Sequence, residues 1–213
     1  MTPEDSSIKA AQVCALAPVI PVLVIDNVAD ARPLAEALVA GGLPALEVTL
    51  RTPVALDAIR EMAKVEGGVV GAGTLLTPAD VRAAKEAGAL FGVSPGATDI
   101  LLQACEDEDM PLLPGAATAT ESMALLERGY TVQKFFPAEA AGGAGALKAI
   151  GAPIQQVKFC PTGGISRAIA PDYLALSNTL CVGGSWVAPA NLVKAGDWAA
   201  IEELARDASQ LSR

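Results

Sequence analysis

Lys134 stands in the run Thr131-Val132-Gln133-Lys134-Phe135-Phe136-Pro137, near the C-terminal end of an apolar strand pattern. Burial there disfavours the ammonium and leaves some free amine to attack a carbonyl. Lys9, Lys64, Lys85, Lys148 and Lys194 fall on helical patterns, where a lysine is ordinary solvent decoration. Lys158 opens Lys158-Phe159-Cys160-Pro161-Thr162-Gly163-Gly164 and competes for the nucleophile role, or serves as a salt-bridged strand lysine. Strand alternation favours Lys134, because it shares a face with Phe136, an apolar neighbour that suits a neutral amine. By the same parity Lys158 faces inward with Thr162, but deeper, away from the C-terminal ends of the strands where barrel enzymes place their chemistry.

A second polar group lies in Leu46-Glu47-Val48-Thr49-Leu50-Arg51. Alternation puts Glu47, Thr49 and Arg51 on one face and the three aliphatic residues on the other. A strand covered by helices needs its outer face apolar, so the polar triplet points inward, where an acid and a guanidinium are costly unless used or paired. A structural Glu-Arg pair is the bland alternative. The chain has no histidine. The usual proton shuttle and commonest transition-metal ligand are therefore both missing, and chemistry must rest on carboxylates, lysine, cysteine, hydroxyls or a cofactor.

Two glycine pairs follow late strand patterns, in Pro161-Thr162-Gly163-Gly164-Ile165-Ser166 and Cys181-Val182-Gly183-Gly184-Ser185-Trp186. In barrels the loops after the last two strands commonly hold phosphate through backbone N–H groups. Gly71-Ala72-Gly73-Thr74 and Ser94-Pro95-Gly96 border the same mouth, with turn chemistry as their plainer reading. Thr74 is either a hydroxyl donor to a substrate carboxylate or a helix cap.

Positioning these groups needs a scaffold of repeated strand and helix. Short apolar runs begin near Val19, Ala45, Val69, Leu90, Met110, Thr131, Gln156 and Leu180, giving eight candidate strands at a βα period. Between them, Thr77-Pro78-Ala79-Asp80 and the capping box from Thr118 to Glu121 open helices, while Gly41, Gly88 and Gly129 follow helix ends. The pattern predicts a single (β/α)8 TIM barrel over residues 1–213, an additional helix from Thr2 to Leu16 across its floor and a closing helix from Trp198 to Leu211. No Gly-x-Gly-x-x-Gly follows the first strand, and Ala140 to Gly145, lacking the lysine of a P-loop, reads as a flexible βα loop. Apolar residues make up 52% and aromatics only 4%, so the core must be aliphatic, which suits helices wrapped on buried parallel strands.

The net charge of −9 opposes nonspecific attraction to nucleic acid or anionic lipid. Cys14, Cys105, Cys160 and Cys181 lack any Cys-x-x-Cys pairing and read as small core residues, with neither a disulfide framework nor a zinc site expected. The uncharged stretch from Ala10 to Ile25 is broken by Gln12, Pro18 and Pro21, so neither a signal peptide nor a membrane span is expected and the cytoplasm is the default.

Leu46 to Thr52, Gly71 to Thr74, Ser94-Pro95-Gly96, Lys134-Phe135-Phe136-Pro137-Ala138-Glu139, Phe159 to Gly164 and Gly183-Gly184-Ser185-Trp186 occur in an order that closely resembles the 2-keto-3-deoxy-6-phosphogluconate aldolase family. The resemblance covers nearly the whole chain. It implies that Lys134 forms the Schiff base, Glu47 shuttles protons, and Arg51 with Thr74 holds the pyruvyl carboxylate. Phe136 and Pro95 would line the pocket, and Thr162, Gly163, Gly164, Gly184 and Ser185 would surround the phosphate. It also implies a keto acid phosphate substrate, no cofactor or metal, a homotrimer and a place in the Entner-Doudoroff route. Rival readings are a 2-keto-3-deoxy-6-phosphogalactonate aldolase, cleavage of 4-hydroxy-2-oxoglutarate, a sugar-phosphate isomerase or epimerase, a magnesium-dependent aldolase and a noncatalytic binder of phosphorylated metabolites.

Overall fold

A computed structural model describes residues 1–212; residue 213 of the expected domain lies outside them. The first half runs α1 (Pro3–Ala15), β1 (Val19–Leu23), α2 (Val28–Ala40), β2 (Ala45–Thr49), α3 (Ala55–Met62), β3 (Val69–Gly73), α4 (Pro78–Glu86), β4 (Phe91–Val93) and α5 (Asp99–Asp107). The second half runs β5 (Leu112–Leu113), β6 (Gly115–Ala116), α6 (Ala119–Arg128), β7 (Val132–Phe135), α7 (Gly143–Gly151), β8 (Lys158–Pro161), α8 (Ala170–Leu174), β9 (Val182–Gly184), α9 (Ala190–Ala195) and α10 (Trp198–Ser209). The α/β expectation holds, with every strand pairing parallel to its neighbours.

One sheet has the order β5-β4-β3-β2-β1-β9 and the other β6-β7-β8. The break between them falls at Pro114, which has no N–H to continue the ladder. Its carbonyl still accepts from Lys134 N at 2.8 Å, so pairing passes from β4 to β7 within five residues of chain, 112–116. A bridge from Thr162 to Gly183 connects the end of β8 to β9.

Side-chain alternation sorts the apolar residues into two clusters. Val19, Leu23, Leu46, Val48, Val70, Ala72, Leu112, Phe135, Phe159 and Val182 face the helices. Ile20, Ala45, Phe91, Val93, Leu113, Val132, Cys160 and Cys181 face the other way and meet Ala10 and Cys14 of α1. Burying Phe91 there contributes about 1.5–3 kcal/mol. Gly71 makes room for it, since a Cβ at that position would lie 2.4 Å from the ring.

Thr2 caps α1 by accepting from Asp5 N at 3.1 Å. Two buried serines then pin the helix to distant strands: Leu112 N donates to Ser6 Oγ at 2.9 Å, and Thr131 N to Ser7 Oγ at 3.0 Å. The helix thus satisfies amides at the start of β5 and just before β7.

Two details depart from expectation. Ala140 to Gly145 is not wholly loop, because Gly142 and Gly143, both at positive φ, turn the chain directly into α7. Lys158 does not face inward: at the first residue of β8 its side chain turns aside, and Nζ donates to the Ser177 carbonyl at 2.9 Å.

Candidate active site

The strand ends carry the polar groups to one cavity of about 320 Å³. On β2, Glu47 and Thr49 are 3% and 2% exposed, and Arg51 follows on the same face at the cavity rim. On β7, Lys134 is 5% exposed. Its Nζ donates to Glu47 Oε1 at 3.2 Å, across a sequence separation of 87 residues. Nζ also lies 5.3 Å from the centre of the Phe136 ring, within cation–π range. An ion pair this buried is costly to desolvate and is retained for what it does in a site more readily than for stability.

Small residues make this crowding possible. A Cβ at Gly73 would stand 2.3 Å from Glu47 Oε1, and one at Gly183 would stand 2.3 Å from Thr162 Oγ1. Both glycines sit on strands, so they act by yielding space to a functional neighbour. Directly after β3, Thr74 takes a left-handed backbone at φ 64, a conformation a β-branched residue adopts only at a cost of about 1–2 kcal/mol. It lines the cavity.

At the rim, Arg51 Nε donates to Thr49 Oγ1 at 3.1 Å, and Thr49 Oγ1 donates to the Leu23 carbonyl at 2.8 Å. Arg51 forms no ion pair among the described residues, which leaves its guanidinium free for an anionic ligand. The opposite wall is formed by Thr162, Gly163, Gly164, Gly183 and Ser185. Gly163 and Gly164 have φ of 110 and 80, a turn natural to glycine that exposes backbone along its curve. It is tied to the Lys134 strand, since Ala138 N and Glu139 N donate to the Thr162 and Gly163 carbonyls at 2.8 and 3.0 Å.

Of the residues singled out from sequence, Glu47, Arg51, Thr74, Pro95, Lys134, Phe136, Thr162, Gly163, Gly164 and Ser185 line this one cavity. Gly184 does not. A Cβ there would lie 1.9 Å from the Trp186 ring, so its side faces that indole. Val22 and Ile165 also line the cavity and were not singled out. Val22 shares the inward parity of Ile20 on β1, a signal the sequence carried. A larger hollow of about 480 Å³ lies between α4 and α5, but it is lined by Arg82, Asp99, Asp107 and Arg128 and holds none of these strand-end groups.

No helix among the described residues is long and apolar enough to cross a membrane.

The family model described as "Aldolase: KDPG and KHG aldolase" matches residues 10–204. The chain is 53% identical over 192 residues to the KHG/KDPG aldolase of Escherichia coli strain K12, covering 90% of each. It superposes with a TM-score of 0.93 on the 2-keto-3-deoxy-6-phosphogluconate aldolase of Zymomonas mobilis ZM4 with 3-phosphoglycerate, at 52% identity over 97% of this chain and 98% of that one. The KDPG aldolase of Legionella pneumophila, solved with pyruvate captured as a covalent carbinolamine intermediate, gives a TM-score of 0.91 at 49% identity, covering 94% and 98%. With a match across nearly its whole length and half its residues shared with such relatives, the chain belongs to the KDPG and KHG aldolase family.

Proposed function

We propose that this chain is a class I aldolase that cleaves 2-keto-3-deoxy-6-phosphogluconate to pyruvate and glyceraldehyde 3-phosphate through a Schiff base on Lys134. The contact of 3.2 Å between Lys134 Nζ and Glu47 Oε1 carries the reading. One proton passed across that contact converts the ion pair into a free amine and a carboxylic acid, the two reagents the first step needs.

Lys134 Nζ attacks the C2 ketone, and the carbinolamine hydroxyl leaves as water with a proton from Glu47. The resulting iminium is the electron sink. Glu47, now a carboxylate, takes the C4 hydroxyl proton directly or through water. The C4 O–H electrons form the aldehyde, and the C3–C4 pair moves into the iminium to give an enamine. Glyceraldehyde 3-phosphate departs. Glu47 returns its proton to C3, and water then hydrolyses the pyruvyl iminium to pyruvate and free Lys134.

The unpaired Arg51 guanidinium and Thr74 supply donors for the C1 carboxylate, while Phe136 and Pro95 flank the reacting carbons. The left-handed turn at Gly163-Gly164, with Thr162, Ser185 and the backbone of Gly184, takes the phosphate at the far wall. The same carboxylate pocket accepts pyruvate alone, so cleavage of 4-hydroxy-2-oxoglutarate belongs to the proposal. Half-identity to relatives named for the gluconate-derived substrate favours it over the galactonate-derived one.

The proposal includes a single domain in which both sheets close into one (β/α)8 barrel with α1 across its floor. The Thr162 to Gly183 bridge and the turn through Pro114 support closure at its two seams. Self-association as a homotrimer draws support from Leu76 and Ile100, which are 59% and 71% exposed. We place the enzyme in the cytoplasm and in the Entner-Doudoroff route. A retro-aldol assay across the three keto acids, paired with borohydride trapping of pyruvate, tests the assignment; no cleavage and no adduct would remove it.

A further inference from the structure

Three cysteines far apart in sequence meet beneath the Lys134 site. Cys14 comes from α1, Cys160 from β8 and Cys181 from the residue before β9; their sulfurs lie within 4.8 Å of one another, and Cys181 Sγ is 3.5 Å from Cys160 Sγ. All three are buried, at 1%, 2% and 0% exposure. Ile20, Ala45, Phe91, Val93, Leu113 and Val132 share their cluster, and no carboxylate joins the sulfurs among the described residues. The remaining thiol, Cys105, sits in the separate helix-side core, where burial pushes its pKa up to about 12.

We propose that Cys14, Cys160 and Cys181 form a three-sulfur binding site for a soft, thiophilic cation of the Cu(I) class. Three thiolates around one ion in a plane, at the usual metal–sulfur length of about 2.3 Å, stand about 4 Å from one another. That spacing lies between the 3.5 Å contact and the 4.8 Å outer bound observed here. Calcium and magnesium require oxygen ligands, which this lining does not offer. Zinc prefers a fourth ligand, and the hydroxyl beside Cys160, Thr162 Oγ1, stands 3.9 Å from its sulfur, well beyond a metal bond's reach. A soft ion content with three sulfurs fits what remains.

Binding moves no electrons. The cation enters, S–H bonds break at each coordinating sulfur, and the protons leave to solvent, so uptake weakens as pH falls. Cys160 pairs with Lys134 in register, and Thr162 on the same face lines the catalytic cavity. An ion held there would sit against the strand position paired with the Schiff-base lysine.

The test uses the full chain, reduced and free of oxygen, titrated with Cu(I) against a chromogenic Cu(I) chelator. One ion per chain is expected, with ultraviolet thiolate-to-metal absorption and a metal-edge X-ray absorption spectrum showing three sulfur neighbours. Cys14→Ala should weaken uptake by more than about tenfold, and Cys105→Ala should leave it unchanged. The X-ray spectrum of the unaltered chain stands independently of whether either variant folds. The site is overturned by a first shell of oxygen or nitrogen, by uptake that depends on Cys105, or by no uptake either in the native chain or on refolding with the ion present.

Discussion

Gly73 and Glu47 share one space: a Cβ at position 73 would stand 2.3 Å from Glu47 Oε1, so the bare Cα on β3 sets where the carboxyl on β2 can rest. Adding that one carbon should move the acid away from Lys134. Gly73→Ala is expected to cost about 1–3 kcal/mol of stability by overpacking. A displacement of about 1 Å at the reacting centre lowers turnover by roughly 10²-fold. Steady-state kinetics beside thermal unfolding checks both; a folded variant with unchanged kcat would show that the carboxyl position does not matter.

Glu47→Gln keeps the shape and removes the exchangeable proton. Cleavage should slow by roughly 10²- to 10⁴-fold. The fold should survive, because the amide can still accept from Lys134. Near-normal turnover would move the proton shuttle to another group.

Borohydride reduction in the presence of pyruvate should add one three-carbon unit per chain, mapped by mass spectrometry to Lys134. Lys134→Ala should lose both adduct and turnover. Lys158→Met should retain both, since its side chain only donates to the Ser177 carbonyl. An adduct found on Lys158 would sink the assignment.

For the proposed phosphate wall, Gly184 is a poor probe because any side chain there would strike Trp186. Ser185 is exposed and lines the cavity, so Ser185→Asp can place a carboxylate against the phosphate without repacking. Repulsion of about 1–4 kcal/mol at this partly solvated rim should raise KM for the phosphorylated substrate by about tenfold or more. Pyruvate trapping should be unaffected. Equal loss for both ligands would count against the placement.

Glu121 closes the cap of α6, accepting from the Ala117 and Thr118 amides at 2.8 and 2.9 Å. The Ala117 bond first, and those from Thr118 after it, hold its carboxyl below the ordinary glutamate value. Because the folded value is the lower one, the stabilisation is fully present above about pH 4.3, the unfolded value, and is lost as pH falls through the folded value. Glu121→Ala should cost about 0.5–1 kcal/mol at neutral pH, small because the group is exposed. Denaturation series should show the gap to the unaltered chain closing in acid; a gap that widens there would contradict the cap.

Periodicity made much of this legible. The inward face of β2 and the pairing of Lys134 with Phe136 both follow from alternation, and the caps at Thr77 and Thr118 follow from local chemistry. Three things did not. Lys158 obeys the inward parity on paper, yet a strand's first residue can turn its side chain aside, and a nearby carbonyl captured it. Gly71 and Gly73 read as turn residues because nothing in a sequence shows which side chain from a neighbouring strand will need the room. The meeting of Cys14, Cys160 and Cys181 depends on β8 and β9 lying side by side over α1, a closure of long loops that no local window contains.

The two serines of α1 have a consequence in time. Ser6 and Ser7 reach amides 106 and 124 residues further along the chain. During synthesis the helix emerges well ahead of both partners, which at about 5–20 residues per second follow only after roughly 5–25 s. Until then Ala10 and Cys14 lack Leu113 and Val132 of their inner cluster, and Cys160 and Cys181 come later still. The helix therefore docks long after it is made, and chains stalled before β5 would display this apolar stripe to chaperones.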